Sequence, residues 1–232
     1  MYTSHLAWQM QRTRMTLNSD NNAPITVEVV TRPAQLRQFL VLPQRIYVSD
    51  PAWIAPLDFM KREQLSPKNH FFEHARWRAW VAYRNGEPVG RITAQIDEMH
   101  LQQHHDGAGY FGMFSVVPTL QGKGIGSLVL AEAERIAAEV WSCTAMRMTV
   151  IDIRDDLIPY YERRGYHRTG IKKPFPYGDE RFGLPKRDDL RFILEVVSES
   201  DPWFEQGASA NLFASRFRNF VVARCRSQGW NL

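Results

Sequence analysis

Two stretches of the chain combine residue types at spacings that could do chemistry. In Gln121-Gly122-Lys123-Gly124-Ile125-Gly126-Ser127 glycine recurs at every second position, after a β-rich run and before an apolar-periodic one. The first N–H groups of a helix have no intrahelical acceptor and carry the positive end of its dipole, and glycine lets an anion approach them without a Cβ in the way. The pattern suits a phosphate cradle, and equally a tight strand-to-helix turn that holds nothing. It lacks the Gly-Lys-Ser/Thr ending of a Walker loop, and Val129 stands where a dinucleotide-binding fingerprint has its third glycine. The second stretch, Asp155-Asp156-Leu157-Ile158-Pro159-Tyr160-Tyr161-Glu162-Arg163-Arg164-Gly165-Tyr166, reads as a short helix with acids at its start, arginines in its last turn and glycine after it. A third cluster, His100-Leu101-Gln102-Gln103-His104-His105-Asp106, offers potential metal ligands at short spacing, but it reads as a solvated polar loop and no metal is expected.

These motifs need elements to position them. Ile25-Thr26-Val27-Glu28-Val29-Val30 alternates like a half-buried strand, and Thr31-Arg32-Pro33 opens a helix with Leu36, Phe39, Leu40 and Ile46 as its apolar side. Trp77 to Tyr83 and Pro88 to Ile96 are β-rich and joined by Arg84-Asn85-Gly86-Glu87, whose Asn-Gly pair is a strong hairpin signal. Tyr110 to Val117 forms a third β-rich run ended by Pro118. Ile125, Val129, Ala133, Ile136 and Val140 then recur at helical spacing, with Glu132, Arg135 and Glu139 on the opposite, polar side. Met146 to Ile151 is predicted as a strand, Asp156 to Arg164 as a short helix closed by Gly165, and Leu190 to Val197 as the last strand. On the short helix Tyr160 and Tyr161 point about 100 degrees apart, and Tyr160 is the better core candidate. The order predicts an α/β (α+β) fold, a mixed sheet flanked by helices.

The whole chain has 232 residues, 44% hydrophobic and 23% charged, which fits one globular core and excludes wholesale disorder. No apolar run approaches the roughly 18 residues of a membrane helix, and residues 1–20 hold no secretory signal, so a soluble, cytoplasmic protein without a membrane partner is expected. Cys143 and Cys225 are the only cysteines, which excludes a disulfide framework or a four-cysteine zinc site. A net charge of +4 favours an anionic ligand without reaching the density of a nucleic-acid binder. Residues 1–23 read as a flexible arm ending in the polar cluster Asn18-Ser19-Asp20-Asn21-Asn22, and residues 24–197 as the domain. In the extension 198–232, Leu212, Phe213, Phe217, Phe220 and Val221 can form one helical face, suited to docking on its own domain or on a second copy in a homodimer.

Together, Gln-x-x-Gly-x-Gly after one strand and Tyr-Glu-x-x-Gly-Tyr after the next resemble the GCN5-related N-acetyltransferase (GNAT) family. The resemblance covers roughly Ile25 to Val197 in element order and is most specific from Phe114 to Tyr166. It implies a twisted mixed sheet that binds acetyl-CoA and transfers its acetyl group to an amine acceptor by direct attack. Members place the pantetheine as a pseudo-strand between two splayed parallel strands, here those ending near Val116 and Ile151. By position, Phe114, Ser115 and Val116 would pair with the pantetheine amides, and a strand N–H near Val116 would meet the oxyanion. Gln121 opens the signature, and the N–H groups of Gly122, Lys123, Gly124, Ile125, Gly126 and Ser127 would hold the pyrophosphate.

The family's acid tyrosine falls on Tyr161, four residues before Gly165. A phenol with pKa near 10 stays protonated at pH 7 and can reprotonate the departing thiolate. Thr149 stands where some members carry a base glutamate, leaving Asp152 or a water chain as substitutes. Arg154 replaces a frequent asparagine and would meet a CoA phosphate or cap the strand. Asn69 to Ala75 with Val89 to Ile92 is similar to one branch, whereas Arg163 to Tyr166 with Pro174 to Tyr177 is similar to another. Acceptor and acyl length therefore do not follow. A small or moderately apolar amine, met by the loops His100 to Asp106 and Phe175 to Tyr177, is the expected acceptor. A longer acyl-CoA, or a non-catalytic acyl-CoA sensor, is the alternative.

Overall fold

Asn85 and Gly86 both take left-handed φ angles, +51° and +78°, the geometry of a two-residue turn whose twist matches that of its flanking strands. That hairpin joins β3 (Ala75–Arg84) to β4 (Glu87–Asp97), two of the eight strands of one sheet in a computed structural model describing residues 14–19, 22–48, 65, 69–97, 107–179, 185 and 187–198. The others are β1 (Arg14–Ser19), β2 (Asn22–Val29), β5 (Ala108–Val116), β6 (Ala145–Ile151), β7 (His167–Pro174) and β8 (Arg191–Ser198). Their order is β1-β2-β3-β4-β5-β6-β8-β7, antiparallel throughout except for the parallel pair β5 and β6. The helices are α1 (Pro33–Tyr47), the single turn α2 (Phe71–His74), α3 (Ile125–Glu139) and α4 (Ile158–Glu162). The mixed sheet with flanking helices is as the element order predicts.

Two strands depart from expectation. β1 pairs with β2 from Arg14–Glu28 to Ser19–Asn22, so the flexible arm expected over 1–23 is interrupted by a strand. β7 escapes the hydrophobic pattern because all eight of its residues are exposed on the sheet's outer edge, which leaves nothing to alternate. Residues 1–13, the loop His100 to Asp106 and the amphipathic segment after Ser198 lie outside the described residues.

Strand alternation sorts the core onto the two faces of the sheet. Trp80, Ala82, Ile92, Phe111 and Met146 pack with Leu128, Val129 and Ile136 of α3, whereas Ala79 and Val81 pack with Phe39 and Leu65 on the α1 side. α3 is buried more completely than an amphipathic helix requires. Glu132, expected on its polar side, is fully buried, and both of its oxygens accept from Arg135, at 2.8 and 2.9 Å. Burial pushes the Glu132 carboxyl up against the opposing pull of Arg135. Glu134 is buried as well and accepts from the Tyr166 hydroxyl at 3.0 Å, which pins the chain after α4 to α3.

On the other face, α1 contains Pro43, which has no N–H to offer the carbonyl four residues earlier. That carbonyl, Phe39 O, accepts instead from Arg91 Nη1 of β4 at 2.8 Å. The Arg91 guanidinium lies 4.6 Å from the centroid of the Phe39 ring, and its Nε donates to Ser115 Oγ at 3.3 Å. Burial lowers the pKa of Arg91 below the ordinary arginine range. Arg91→Met should therefore destabilise the protein by about 1–3 kcal/mol in urea unfolding, the cost of an orphaned carbonyl. Pro43→Ala should recover part of that loss in the Arg91→Met background by restoring a helical donor. A double-mutant cycle with no coupling would separate the two residues.

Candidate active site

The parallel ladder between β5 and β6 has three residue pairs, Ala108–Ala145, Gly109–Met146 and Tyr110–Arg147, and then stops. β5 stays paired with β4 as far as Val116, and β6 stays paired with β8 as far as Ile151, so the two central strands diverge into a fork. A bulge bends β5 there. Arg91 pairs with Ser115 and Thr93 with Gly112, so β5 carries one residue more than β4 over the same span, and Met113 takes a φ of +49°. Thr93 Oγ1 donates to Gly112 O at 3.0 Å and fixes the bend. At the apex Gly109 permits close approach, since a Cβ there would lie 3.1 Å from Cys143 Sγ and 3.2 Å from Met146 Sδ.

Two residues beyond Arg147, the hydroxyls of Tyr110 and Thr149 meet at 2.7 Å across the apex. Burial raises the Tyr110 pKa, with the Thr149 bond opposing, so this phenol stays protonated at neutral pH. Thr149, expected where a base would stand, thus shares a hydroxyl–hydroxyl bond.

After β5, a 3₁₀ turn (Pro118–Leu120) carries the chain to the glycine segment. Gln121 Nε2 donates back to Val116 O at 3.1 Å, locking the segment to the end of the strand. Gly122 and Gly124 have φ of +73° and +83°, and the first α3 bond runs from Leu128 N to Gly124 O at 2.9 Å. The N–H groups of Ile125, Gly126 and Ser127 therefore precede the helical ladder at its positive end. Lys123 is exposed beside them, whereas Phe114, Ser115 and Val116 form the adjoining wall of the fork.

α4 closes the α3 side of that wall with aromatic rings. Tyr161 is 3% exposed and its ring packs on Phe111, Phe114, Tyr160 and Tyr166 at centroid distances of 5.2–6.4 Å. Tyr160, expected in the core, is less buried than Tyr161. Its ring lies 6.1 Å from Phe114, and its hydroxyl lies 3.0 Å from where a Cβ on Gly126 would stand. Neither Asp152 nor Arg154 stands in the fork's ladder. Asp152 follows β6 and exchanges bonds with the Arg191 backbone, its N–H donating at 3.0 Å and its Oδ1 accepting at 3.3 Å. Arg154 grips Asp156 through two bonds of 2.9 Å and holds that carboxyl below its ordinary pKa. The aromatic loop after β7 turns toward β8: Phe175 packs on Phe192 at 5.4 Å, and the Tyr177 hydroxyl accepts from Leu190 N at 2.7 Å.

The model of the Acetyltransferase (GNAT) family matches residues 45–166, which takes in the fork, the glycine segment and α4. The chain belongs to this family. Among curated proteins it is 44% identical over 82 residues to Protein YghO of Escherichia coli K12, covering 35% of this chain and 21% of that one. It is 43% identical over 96 residues to the bacterial ceramide synthase of Caulobacter vibrioides, covering 40% of this chain and 25% of that one. The matches thus span about a fifth to a quarter of these relatives' own length. Among solved structures, Escherichia coli ElaA is similar in fold at a TM-score of 0.53 with 13% identity, covering 75% of this chain and 99% of that one.

Sequence reasoning missed the Tyr110–Thr149 pair, whose two residues lie on strands far apart in sequence. For the glycines, Gly126→Val is the direct test. A Cβ there would lie 3.0 Å from the Tyr160 hydroxyl and 3.1 Å from the Phe114 ring, so the side chain would crowd the junction of the glycine segment with α4 and the β5 wall. The variant should unfold within about 1–3 kcal/mol of the parent. It should lose the stabilisation of about 2.7 kcal/mol that acetyl-CoA at 100 times its dissociation constant gives a binding protein. Thermal shift with and without acetyl-CoA reads both.

Proposed function

We propose that this protein is an acyl-CoA-dependent N-acyltransferase, with acetyl-CoA as donor and an amine as acceptor. One observation carries the reading: in a chain of this family, the β5–β6 ladder opens after Tyr110–Arg147, directly beside a glycine-bared helix start. The free edge of β5 at Phe114, Ser115 and Val116 offers backbone donors and acceptors for pantetheine amides. Gly122 through Ser127 offer N–H groups to the pyrophosphate, with Lys123 adding charge. Gln121 acts indirectly, by fixing the segment to Val116.

The amine attacks the thioester carbon, the oxyanion is met by a β5 N–H, and the thiolate leaves with a proton from Tyr161. Tyr161 packs against Phe111 and Phe114 at the fork. Base chemistry is sparse here. Thr149 cannot take a proton from an ammonium, and Asp152 stands just past β6 with its carboxylate on the Arg191 backbone. The acceptor must therefore arrive largely neutral, or lose its proton to Asp152 or to water. Turnover should rise with pH through the amine's own titration, and lower-pKa amines should suffer less at pH 7.

A donor longer than acetyl is the second reading, favoured by the relative named as a bacterial ceramide synthase. Thiol release measured across acetyl-, octanoyl- and palmitoyl-CoA with small amines and long-chain amino alcohols distinguishes the two readings. Acetyl-CoA with small amines should be fastest on the first, and the long-chain pairs on the second. No acceptor-dependent thiol release from any pair, despite tight binding, would leave a sensor. On either enzymatic reading Tyr161→Phe should keep donor affinity within about twofold and lower turnover roughly a hundredfold. Tyr160→Phe should change turnover far less, and equal losses in both variants would remove the acid role from Tyr161.

A further inference from the structure

Tyr110 is the last residue of β5 that pairs with β6. Its neighbour Phe111 packs in the α3-side core, so strand alternation puts the Tyr110 side chain on the α1 side of the sheet. There the ring leans over Gly112, where a Cβ would lie 3.4 Å from Tyr110 Cε1, and the hydroxyl crosses to Thr149 Oγ1 at 2.7 Å. A phenol thus spans the opening fork from one wall to the other, just beyond the last ladder pair. Each hydroxyl gives the other a partner, so the crossing is satisfied from within the fold. The α3 side of the same place is filled by Phe111, Cys143 and Met146, each no more than 1% exposed.

We infer that Tyr110 is a specificity-determining residue: tied to Thr149, its ring bars the inner end of the fork and confines the donor's acyl group to acetyl or one little larger. The inference rests on the donor reading above. A CoA thioester whose pyrophosphate lies at Gly122 to Ser127, and whose pantetheine runs along β5 from Val116 to Phe114, points its reacting end at the apex. Beyond the thioester carbonyl the acyl group therefore heads for the bar. Phe114 and Gly112, which lies under the ring, are two residues apart, at most about 7 Å of chain. The thioester takes up part of that length, which leaves room for a methyl group but not for a run of methylenes. Of the two donor lengths considered above, this geometry selects the shorter.

The test uses the full chain without acceptor, titrated calorimetrically with CoA, acetyl-CoA, butyryl-CoA and octanoyl-CoA. The parent should bind acetyl-CoA at least about tenfold more tightly than octanoyl-CoA, with butyryl-CoA between them. Tyr110→Ala should abolish that preference by tightening octanoyl-CoA at least about tenfold, while free CoA stays within about twofold of the parent. Tyr110→Phe, which keeps the ring, should restore most of the discrimination. Weakening of every ligand alike in Tyr110→Ala, with the order of affinities unchanged, would make Tyr110 merely structural and overturn the assignment; Tyr110→Leu decides the matter if Tyr110→Ala unfolds. Octanoyl-CoA bound by the parent as tightly as acetyl-CoA would also overturn it, sending the acyl chain out of the fork by another route while leaving the donor reading in place. A parent that binds neither CoA nor any of its thioesters would refute the donor reading itself, and this inference with it.

Discussion

In the middle of an eight-stranded sheet, β5 and β6 share three residue pairs and then part, leaving facing strand edges whose donors and acceptors the ladder no longer uses. Unpaired backbone in a sheet interior is costly, so a fork persists only where neighbouring structure over-determines it. Here the apex is held by the Gly109 contact and the Tyr110–Thr149 bond, and the bend by Thr93 on Gly112. Farther along β5, Arg91 holds Ser115 and Gln121 holds Val116. Each tie lies on β5, the strand that carries the bulge. β6, braced along its length by β8, can remain straight. The fork is thus asymmetric, one wall shaped and the other merely supported.

The same asymmetry governs the flanking aromatics. Phe111 and Phe114 sit on either side of the bulge at Met113, and α4 meets them with Tyr160 and Tyr161, while Tyr166 follows Gly165 down to Glu134 on α3. Five rings in edge and tilted contact stiffen this side far more than aliphatic packing of similar area would. It also explains why α4 can be only five residues long: Tyr166 and Arg164 anchor its end to α3 at Glu134 and Ser127, so helix propensity has little to decide.

Much of this was legible in the sequence, and the limits have physical causes. The Asn85-Gly86 hairpin, the glycine segment and the periodicity of α3 announce themselves through local conformational demands. β7 does not, because an edge strand exposed on both faces carries no pattern. Glu132 reads as solvent-facing because periodicity cannot register that a neighbouring, partly buried arginine satisfies it. The reversed burial of Tyr160 and Tyr161 has a similar origin: a helix of five residues is oriented by its end contacts, not by the average of its face. The fork is reached only through the family resemblance, which places it between the strands ending near Val116 and Ile151, since the ladder's stop is a relation between strands far apart in sequence.

The two partly buried arginines show how one residue type can serve opposite ends. Arg91 and Arg164 each donate to a helix carbonyl and each lie over an aromatic ring, at 4.6 and 3.5 Å. Arg91 answers a deficit created within the fold, the donor that Pro43 lacks, and its remaining bond goes to the side chain of a strand wall. Arg164 caps α4 in the usual sense of the dipole but reaches α3 at the end where its charge is unfavourable. That difference in electrostatic sense, invisible in a list of hydrogen bonds, separates a cation that answers a deficit within one helix from one that ties two helices together.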